Sequence, residues 1–222
     1  MAKIVRMVVE VDTALCTGCD MCTRACPTGA FVLRDRLSDE PGKSRKIVEL
    51  KPEECLNAQR CLEFCNFDAL RMVELDEPFH VGVDIASADQ GEIAALCAKA
   101  GYPPEMLTCV CTLTSMGEMA AAVLAGADTP EKLSLATGAR TGCSEICMHP
   151  FLKLLEAAGH GDAAPVTAKS FQWYPPTPTL FEQDPQTLAA LARDYPVYRL
   201  TEELADLALA QGKVVPDQPE GA

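Results

Sequence analysis

Four cysteines near the start of the chain are the residues whose spacing most directly implies chemistry. Three of them recur at every third position and the fourth precedes a proline: Cys16, Cys19, Cys22 and Cys26. Thiolates spaced in this way can converge on one cluster of iron and sulfide, and in this pattern the fourth thiolate ligates the second cluster of a pair. Gly18 allows a tight turn between two of the ligands. Zinc is the alternative, but zinc sites usually pair two Cys-x-x-Cys units.

A second set of cysteines repeats this pattern with one member missing. Its thiols fall on the first, third and fourth positions of the first motif: Cys55, Cys61 and Cys65. Ala58 occupies the second position, and alanine has no donor atom that could ligate iron. Strand-like sequence flanks both sets, with strands predicted over residues 4–11, 30–34, 46–50 and 69–75. Residues 1–77 therefore contain two copies of one unit of strand, cysteine loop and strand.

Residues 1–77 resemble the bacterial two-cluster ferredoxins, in which each half supplies three ligands to its own cluster and one to the neighbouring cluster. The resemblance implies a 4Fe–4S cluster held by Cys16, Cys19, Cys22 and Cys65. It implies a second cluster held by Cys26, Cys55 and Cys61. Because Ala58 removes one thiolate, we expect a 3Fe–4S cluster there. A 4Fe–4S cluster held by three cysteines, or a degenerate half that binds no cluster, are the alternatives.

Residues 78–105 are predicted to be a helical linker. Prolines bracket one helix over residues 91–100, with Asp89 as its N-cap and Glu92 at the return position of a capping box. Cys97 falls on the apolar face of this helix, so we expect it to be buried as an apolar residue and not to ligate a metal.

Four further cysteines form a pattern of a different kind. Two thiols lie one residue apart and two more follow a pair of predicted helices: Cys109, Cys111, Cys143 and Cys147. Ser115 and Thr129 are the predicted N-caps of these helices, and Gly138 ends the second one. A third helix is predicted over residues 150–158.

Residues 106–161 resemble the 2Fe–2S domains of the bacterioferritin-associated ferredoxin type. The residues that carry the resemblance are the two cysteine pairs, Thr114 with Glu118, and the run from Thr137 to Cys143, which includes Gly138, Thr141 and Gly142. The resemblance implies a 2Fe–2S cluster on Cys109, Cys111, Cys143 and Cys147. The chain has three residues between its last two cysteines where the family has two. His149 as a substitute ligand, and zinc in place of iron, are the alternatives.

The last segment, residues 162–222, contains no cysteine. Dense proline around Phe171, Trp173 and Tyr174 favours an extended path, and two short helices are predicted over residues 185–193 and 201–211. We interpret the segment as an extended arm that wraps a partner subunit. Folding back onto the rest of the chain is the alternative.

Composition limits the class of protein. The formal charge is −13, from 32 acidic and 19 basic residues, which disfavours nucleic acid and anionic lipid and suits a basic patch on a protein partner. Solubility is the simpler explanation of the same charge. No signal-like leader and no apolar run of membrane-spanning length is visible. Because the cysteines sit in short-spaced sets typical of metal ligation, we predict a cytoplasmic protein without disulfides.

Function follows from the cysteines because no other chemistry is visible. The sequence contains no phosphate-binding glycine loop and no Ser/His/Asp set, so no catalytic residue is predicted, whereas eleven of twelve cysteines fit cluster patterns. We predict an α+β protein that relays single electrons within a larger cytoplasmic oxidoreductase, as a subunit of a hetero-oligomer with a catalytic flavoprotein. A free-standing carrier, and an iron-release or redox-sensing partner protein, are the alternatives.

Overall fold

The computed structural model describes residues 3–143, 145–161 and 184–211, with side chains described up to residue 206. These residues combine helices and strands, as an α+β protein requires. They form two compact units, residues 3–161 and residues 184–211. All twelve cysteines belong to the first unit, and all are free thiols.

The strands of the first unit pair as three two-stranded antiparallel sheets. Their bounds are β1 Lys3–Val11, β2 Phe31–Asp35, β3 Lys46–Leu50, β4 Leu70–Val81, β5 Leu107–Cys109 and β6 Thr114–Ser115. β1 pairs with β4, β2 with β3, and β5 with β6. The first and last strands of the N-terminal part thus pair with each other around the inner hairpin.

Helices connect and cover these sheets. In the first unit they are α1 Met21–Ala25, α2 Arg60–Glu63, α3 Gln90–Ala100, α4 Met116–Leu124, α5 Pro130–Thr137 and α6 Met148–Ala157. In the second unit they are α7 Pro185–Asp194 and α8 Leu200–Gln211. α1 and α2 are single short turns that follow the cysteine loops, whereas α3 to α6 form a helical layer with a core of its own.

Apolar residues of β1, β2 and β3 build the core of the N-terminal part. Val9, Phe31 and Ile47 are buried there together with cysteines of both N-terminal sets. The predicted strands over residues 4–11, 30–34 and 46–50 are confirmed to within a residue at each end. Successive strand residues point to opposite faces, and the consecutive residues Ile47 and Val48 are both buried. Burial on both faces explains why the period-two pattern of these strands is only partial.

β4 is longer than the prediction, which ended it at residue 75. The strand continues to Val81, and its pairing with β1 shifts register where Val5 faces Phe79 but Met7 faces Glu74. Pro78 lies within the shifted segment and has no N–H to donate to a ladder. Pro78 here marks a bulge in the strand, and pairing with β1 resumes beyond it.

The helices of the second half begin and end where capping residues predicted. The Asp89 carboxylate accepts hydrogen bonds from the N–H groups of Gly91 and Glu92. Ser115 and Thr129 cap α4 and α5 in the same way, each accepting from the N–H three residues ahead. α6 begins at Met148, two residues before the predicted start.

One hydrophobic core joins α3, α4 and α6. Its fully buried members include Met116, Met119, Phe151 and Leu154. Cys97 is among them with no exposed surface, so its predicted burial is confirmed.

A buried ion pair connects β1 with α4. Nζ of Lys3 donates to Oε1 of Glu118 at 2.8 Å and also to the carbonyl oxygen of Thr137 at the end of α5. The two side chains are only 17% and 6% exposed. Gly138 accommodates the lysine, because a Cβ at this position would lie 2.7 Å from Lys3 Cδ. The cysteine-rich N-terminal part and the helical part therefore share a specific polar contact.

The second unit contains the two predicted C-terminal helices. Asp184 caps α7 by accepting from the N–H of Thr187, and α7 and α8 pack against each other. Both helices are confirmed. The rest of the predicted arm, residues 162–183 with its aromatic residues and residues 212–222, lies outside the described residues. No helix in the described ranges has both the length and the apolar character needed to cross a membrane.

The Lys3–Glu118 pair predicts a measurable loss of stability. Changing Glu118→Gln removes the carboxylate and leaves the lysine charge without a counterion. We expect the free energy of unfolding to fall by about 2–3 kcal/mol. This is at or below the lower end of the loss for a fully buried pair, because Lys3 keeps some exposure. Urea unfolding followed by circular dichroism measures it.

The matched control is Asp128→Asn, which breaks an exposed pair with Lys132 on the same helical half. Exposed pairs contribute little, so its urea midpoint should match that of the unchanged protein. Equal effects of the two substitutions would contradict the importance of the buried contact.

Candidate functional site

The first cysteine set surrounds one cavity. The cavity is lined by the four thiols that the ferredoxin resemblance grouped together: Cys16, Cys19, Cys22 and Cys65. Three of them come from the loop that ends in α1, and the fourth comes from the turn after α2. Cys19 is exposed, Cys65 is half-buried, and the other two are buried. The structure brings these residues together, and their ligation of a cluster stays a prediction.

Gly18 is required by the path of this loop. Its φ is +65°, and a Cβ there would lie 2.3 Å from the carbonyl oxygen of Lys46 at the start of β3. A side chain would therefore meet the backbone of the neighbouring strand. The predicted tight turn is confirmed, and the close approach to β3 adds a second reason for glycine.

Arg36 holds the outer side of the same loop, and sequence reasoning missed it. Its guanidinium donates to the carbonyl oxygens of Cys16 at 2.7 Å, Thr13 at 2.8 Å and Ser44 at 2.7 Å. The segment from Arg34 to Lys46 is polar and charged, and its sequence alone indicates an exposed loop. An arginine within such a loop carries no sequence signal that it will fold back onto cysteine-loop carbonyls.

The second cysteine set surrounds a second cavity. Its lining includes Cys26, Cys55 and Cys61, together with Ala58 at the position of the missing thiol. Cys26 reaches this cavity from the end of the first motif, as the resemblance implies. Its sulfur accepts the N–H of Ala30 at 3.4 Å and lies 3.3 Å from the hydroxyl of Thr28.

The two cavities share an electrostatic property. Burial raises the pKa of Cys22 to about 12, and burial, reinforced by Cys26 and Cys55 nearby, raises the pKa of Cys61 to about 12. A neutral thiol is thus favoured at each position when no metal is present. Iron supplies the positive charge that makes buried thiolates stable, so cluster binding at these sites releases protons.

The third cysteine set lies in the helical half. Cys109 and Cys147 are buried, whereas Cys111 and Cys143 are exposed. The N–H of Cys143 donates to the sulfur of Cys111 at 3.5 Å. Gly142 permits this contact, because a Cβ there would lie 2.5 Å from Cys111 Cβ and 2.8 Å from its sulfur. The structure thus brings the two cysteine pairs of the predicted 2Fe–2S site to the same loop cluster.

Hydrogen bonds shift the pKa values of thiols in this third set. A hydrogen bond from Cys147 lowers the pKa of Cys109 to about 5, and the same bond raises the pKa of Cys147. The N–H groups of Glu145 and Ile146 donate to the sulfur of Cys143 and lower its pKa. Two of the four groups therefore favour the thiolate form, which is the form that ligates metal.

Two residues close to the third set, His149 and Arg140, bear on how its thiols could bind a metal. His149 lies in the first turn of α6, and its Nδ1 is 2.9 Å from the hydroxyl of Tyr102, which engages that nitrogen. Arg140, which sequence reasoning missed, is 1% exposed, and its charge favours the thiolate of Cys147. It lies within the run from Thr137 to Cys143, but nothing in the sequence marks it as buried.

Leu56 connects the second and third sets. It is 8% exposed and lines the three-cysteine cavity. It also lines a further cavity of about 290 Å³, whose lining includes Lys3, Thr112 and Cys111 of the third set. The first cavity shares no lining residue with this one. A buried apolar side chain therefore lines both the cavity of the second set and the cavity that includes Cys111 of the third.

The donor sets suit iron–sulfur clusters. Thiolates are soft ligands that favour such clusters, and four thiols line the first cavity and three the second. Within the described residues, no group of three or more histidine, cysteine or carboxylate side chains is arranged to hold a single metal ion. The residues named above are those that would hold the clusters.

Comparison with known proteins supports the prediction of a ferredoxin-type domain in the N-terminal part. Residues 15–69 match the family of 4Fe–4S dicluster domains. The polyferredoxin protein MvhB of Methanothermobacter marburgensis is 37% identical over 60 residues, which are 27% of this chain and 15% of that protein. An iron–sulfur protein of Rhodospirillum rubrum is 32% identical over 77 residues, which are 31% of this chain and 40% of that protein. No solved structure matches.

These matches identify residues 15–69 as a ferredoxin-type domain of the kind that binds 4Fe–4S clusters. The chain spans well under half the length of either relative, and the dicluster match ends before the third cysteine set. The 3Fe–4S and 2Fe–2S clusters therefore stay predictions.

The close contact at Gly142 predicts a selective loss of iron. Gly142→Ala would push Cys111 aside, so we expect loss of the 2Fe–2S signal in electron paramagnetic resonance and of about two iron atoms per chain. Gly161→Ala is the control, because its Cβ would meet only Glu156 at ordinary contact distance. A Gly142→Ala protein with full iron content would contradict the assignment of this site.

Proposed function

We propose that this chain is an iron–sulfur electron-transfer subunit of a larger cytoplasmic oxidoreductase. When bound, the clusters supply one-electron redox chemistry, and the protein supplies their spacing, burial and exposure. The observation that carries the proposal is the gathering of eleven cysteines into three separate sets within one compact unit.

Leu56, which lines two of the cavities, supports a spatial order of the three sites. Cys22 and Cys61 are near enough to influence each other electrostatically, which connects the first and second sets. Leu56 connects the second set with the cavity that includes Cys111. We infer a linear arrangement in which the three-cysteine site is central, with the four-cysteine ferredoxin site on one side and the 2Fe–2S site on the other.

The exposure of the thiols supports two ends for this arrangement. Cys19 is exposed at the first site, beside Phe67, which is 45% exposed and lines the same cavity. Cys111 and Cys143 are exposed at the third site, and the neighbouring Val110 and Ile146 are 58% and 72% exposed. The second site has no exposed thiol. Electron partners would thus approach at the two outer sites.

The nature of the partners follows from charge and from the relatives. A net charge of −13 favours a partner with a basic surface. Relatives named as a polyferredoxin and an iron–sulfur protein support a role in electron transfer. We propose a catalytic flavoprotein as the partner at one end and a small soluble carrier at the other. No residue of the described chain is proposed as catalytic.

The cluster content tests this proposal directly. Anaerobically purified protein should contain about nine iron atoms per chain, with a 3Fe–4S signal when oxidised and separate 4Fe–4S and 2Fe–2S signals on reduction. Ala58→Cys supplies the missing thiolate at the second cavity. We expect it to convert the 3Fe–4S signal to that of a cubane and to add about one iron atom. An unchanged spectrum would show that Ala58 does not face this cluster.

Association with a partner tests the role as a subunit. Affinity purification of the full chain from its native source under anaerobic conditions should retain a flavin-containing protein at constant stoichiometry, measured by flavin absorbance and mass spectrometry. High salt should weaken the association if the acidic surface contributes. A fully loaded protein that purifies alone at every ionic strength would favour the free-standing carrier.

A further inference from the structure

The two ferredoxin-type sites have equivalent backbones. Asp20 and Gln59 both adopt left-handed conformations, with φ of 68° and 59°, at the residue before α1 and α2. The next residues, Met21 and Arg60, are the first residues of these helices, and the third cysteine of each motif follows as the second residue. The internal repeat is thus preserved in structure, residue for residue, at the point where the chain meets each cavity.

The side chains at these equivalent positions differ in charge. Where the first site has Asp20 and Met21, the second has Gln59 and Arg60, and all four residues line their cavities. Among the described lining residues, the first cavity has one acid and no cation, whereas the second has one cation and no acid. Two units of charge therefore distinguish two sites that share one backbone.

Arg60 lines the second cavity and carries a buried donor. Its Nη1 donates to Glu63 at 3.3 Å, and its Cζ lies 5.6 Å from the centre of the Phe64 ring. Its Nε is buried and has no hydrogen-bond partner among the described residues. The charge of Glu63 offsets that of Arg60 only in part, because the Glu63 side chain is 63% exposed and screened by water. A buried donor needs an acceptor, and sulfide or thiolate sulfur in this cavity would provide one.

We propose that Arg60 and Asp20 separate the reduction potentials of the two ferredoxin-type sites. Reduction adds one electron, and hence one negative charge, to a cluster that is already anionic with its thiolates. A cation with a free N–H stabilises the reduced form, and a nearby carboxylate destabilises it. Arg60 raises the potential at the three-cysteine site, and Asp20 lowers the potential at the four-cysteine site. The inference rests on the proposed function, because it requires both sites to hold clusters.

Exchange of the equivalent residues tests this inference. Redox titrations of the anaerobic full-length protein, followed by electron paramagnetic resonance, resolve the midpoint potential of each site by its own signal. We expect Arg60→Met to make the equilibrium constant for one-electron reduction of the three-cysteine site about tenfold less favourable. This corresponds to a midpoint potential lower by ~59 mV. The reciprocal change, Met21→Arg, should raise the potential of the four-cysteine site in the same range, and Asp20→Gln should raise it further.

Two controls separate local charge from general effects. Arg60→Lys keeps the charge but loses Nε, so its potential should lie between those of the unchanged protein and Arg60→Met. Arg71→Met removes an exposed arginine that pairs with Glu10 and lines none of the three cavities described above, so it should leave every potential unchanged. Equal shifts in Arg71→Met and Arg60→Met would overturn the inference.

Failure of the inference and failure of the proposed function give different results. If the unchanged protein shows all three signals but Arg60→Met and Met21→Arg leave the potentials unmoved, only the role of Arg60 is overturned. If the unchanged protein holds no cluster at the three-cysteine cavity, both are overturned. If Arg60→Met assembles no cluster there, Met21→Arg decides: a raised potential at the four-cysteine site supports the inference, and an unchanged one overturns it.

Discussion

The constraint on which this structure depends is the burial of thiols, because burial disfavours their charged form. Cys22 and Cys61 are each enclosed by apolar residues and other cysteines, and burial raises the pKa of both. The apolar residues of β1, β2 and β3 pack against the same cysteines, so the core of the N-terminal part is organised around the metal-binding loops. Such a core is small for its surface, and cluster binding would contribute folding free energy that side-chain packing alone does not provide.

The helical half has an apolar core of its own. Its core is continuous and rich in leucine, methionine and alanine, so α3 to α6 can pack without help from a metal. Its cysteines lie at the edge of this core, two buried and two exposed. Lys3 and Leu56 are the polar and apolar contacts that hold this edge against the ferredoxin-type domain. The distance between the second and third sites is therefore controlled by side-chain packing and not by a flexible linker.

Much of this organisation was predictable because its signals are local. Asp89, Ser115 and Thr129 cap helices through hydrogen bonds to N–H groups two or three residues away. The resemblance to two-cluster ferredoxins indicated which thiols of the first two sets would share a cavity. The features that escaped prediction depend on contacts distant in sequence. Arg36 reaches back to the carbonyl of Cys16, β4 continues past Pro78 because β1 offers it a partner, and Arg60 lines the same cavity as Ala58 with its Nε buried. No pattern of neighbouring residues encodes such contacts.

The length of β4 has a consequence for how the chain can be divided. Residues Lys3 to Val5 pair with Phe79 to Val81, beyond the bulge at Pro78. A fragment that stopped at residue 77 would keep every cysteine of the two N-terminal sets but would leave the first residues of β1 as an open sheet edge. Unpaired edges of this kind recruit other chains and promote aggregation. Excision of the ferredoxin-type domain for separate use would therefore have to carry the strand through to Val81.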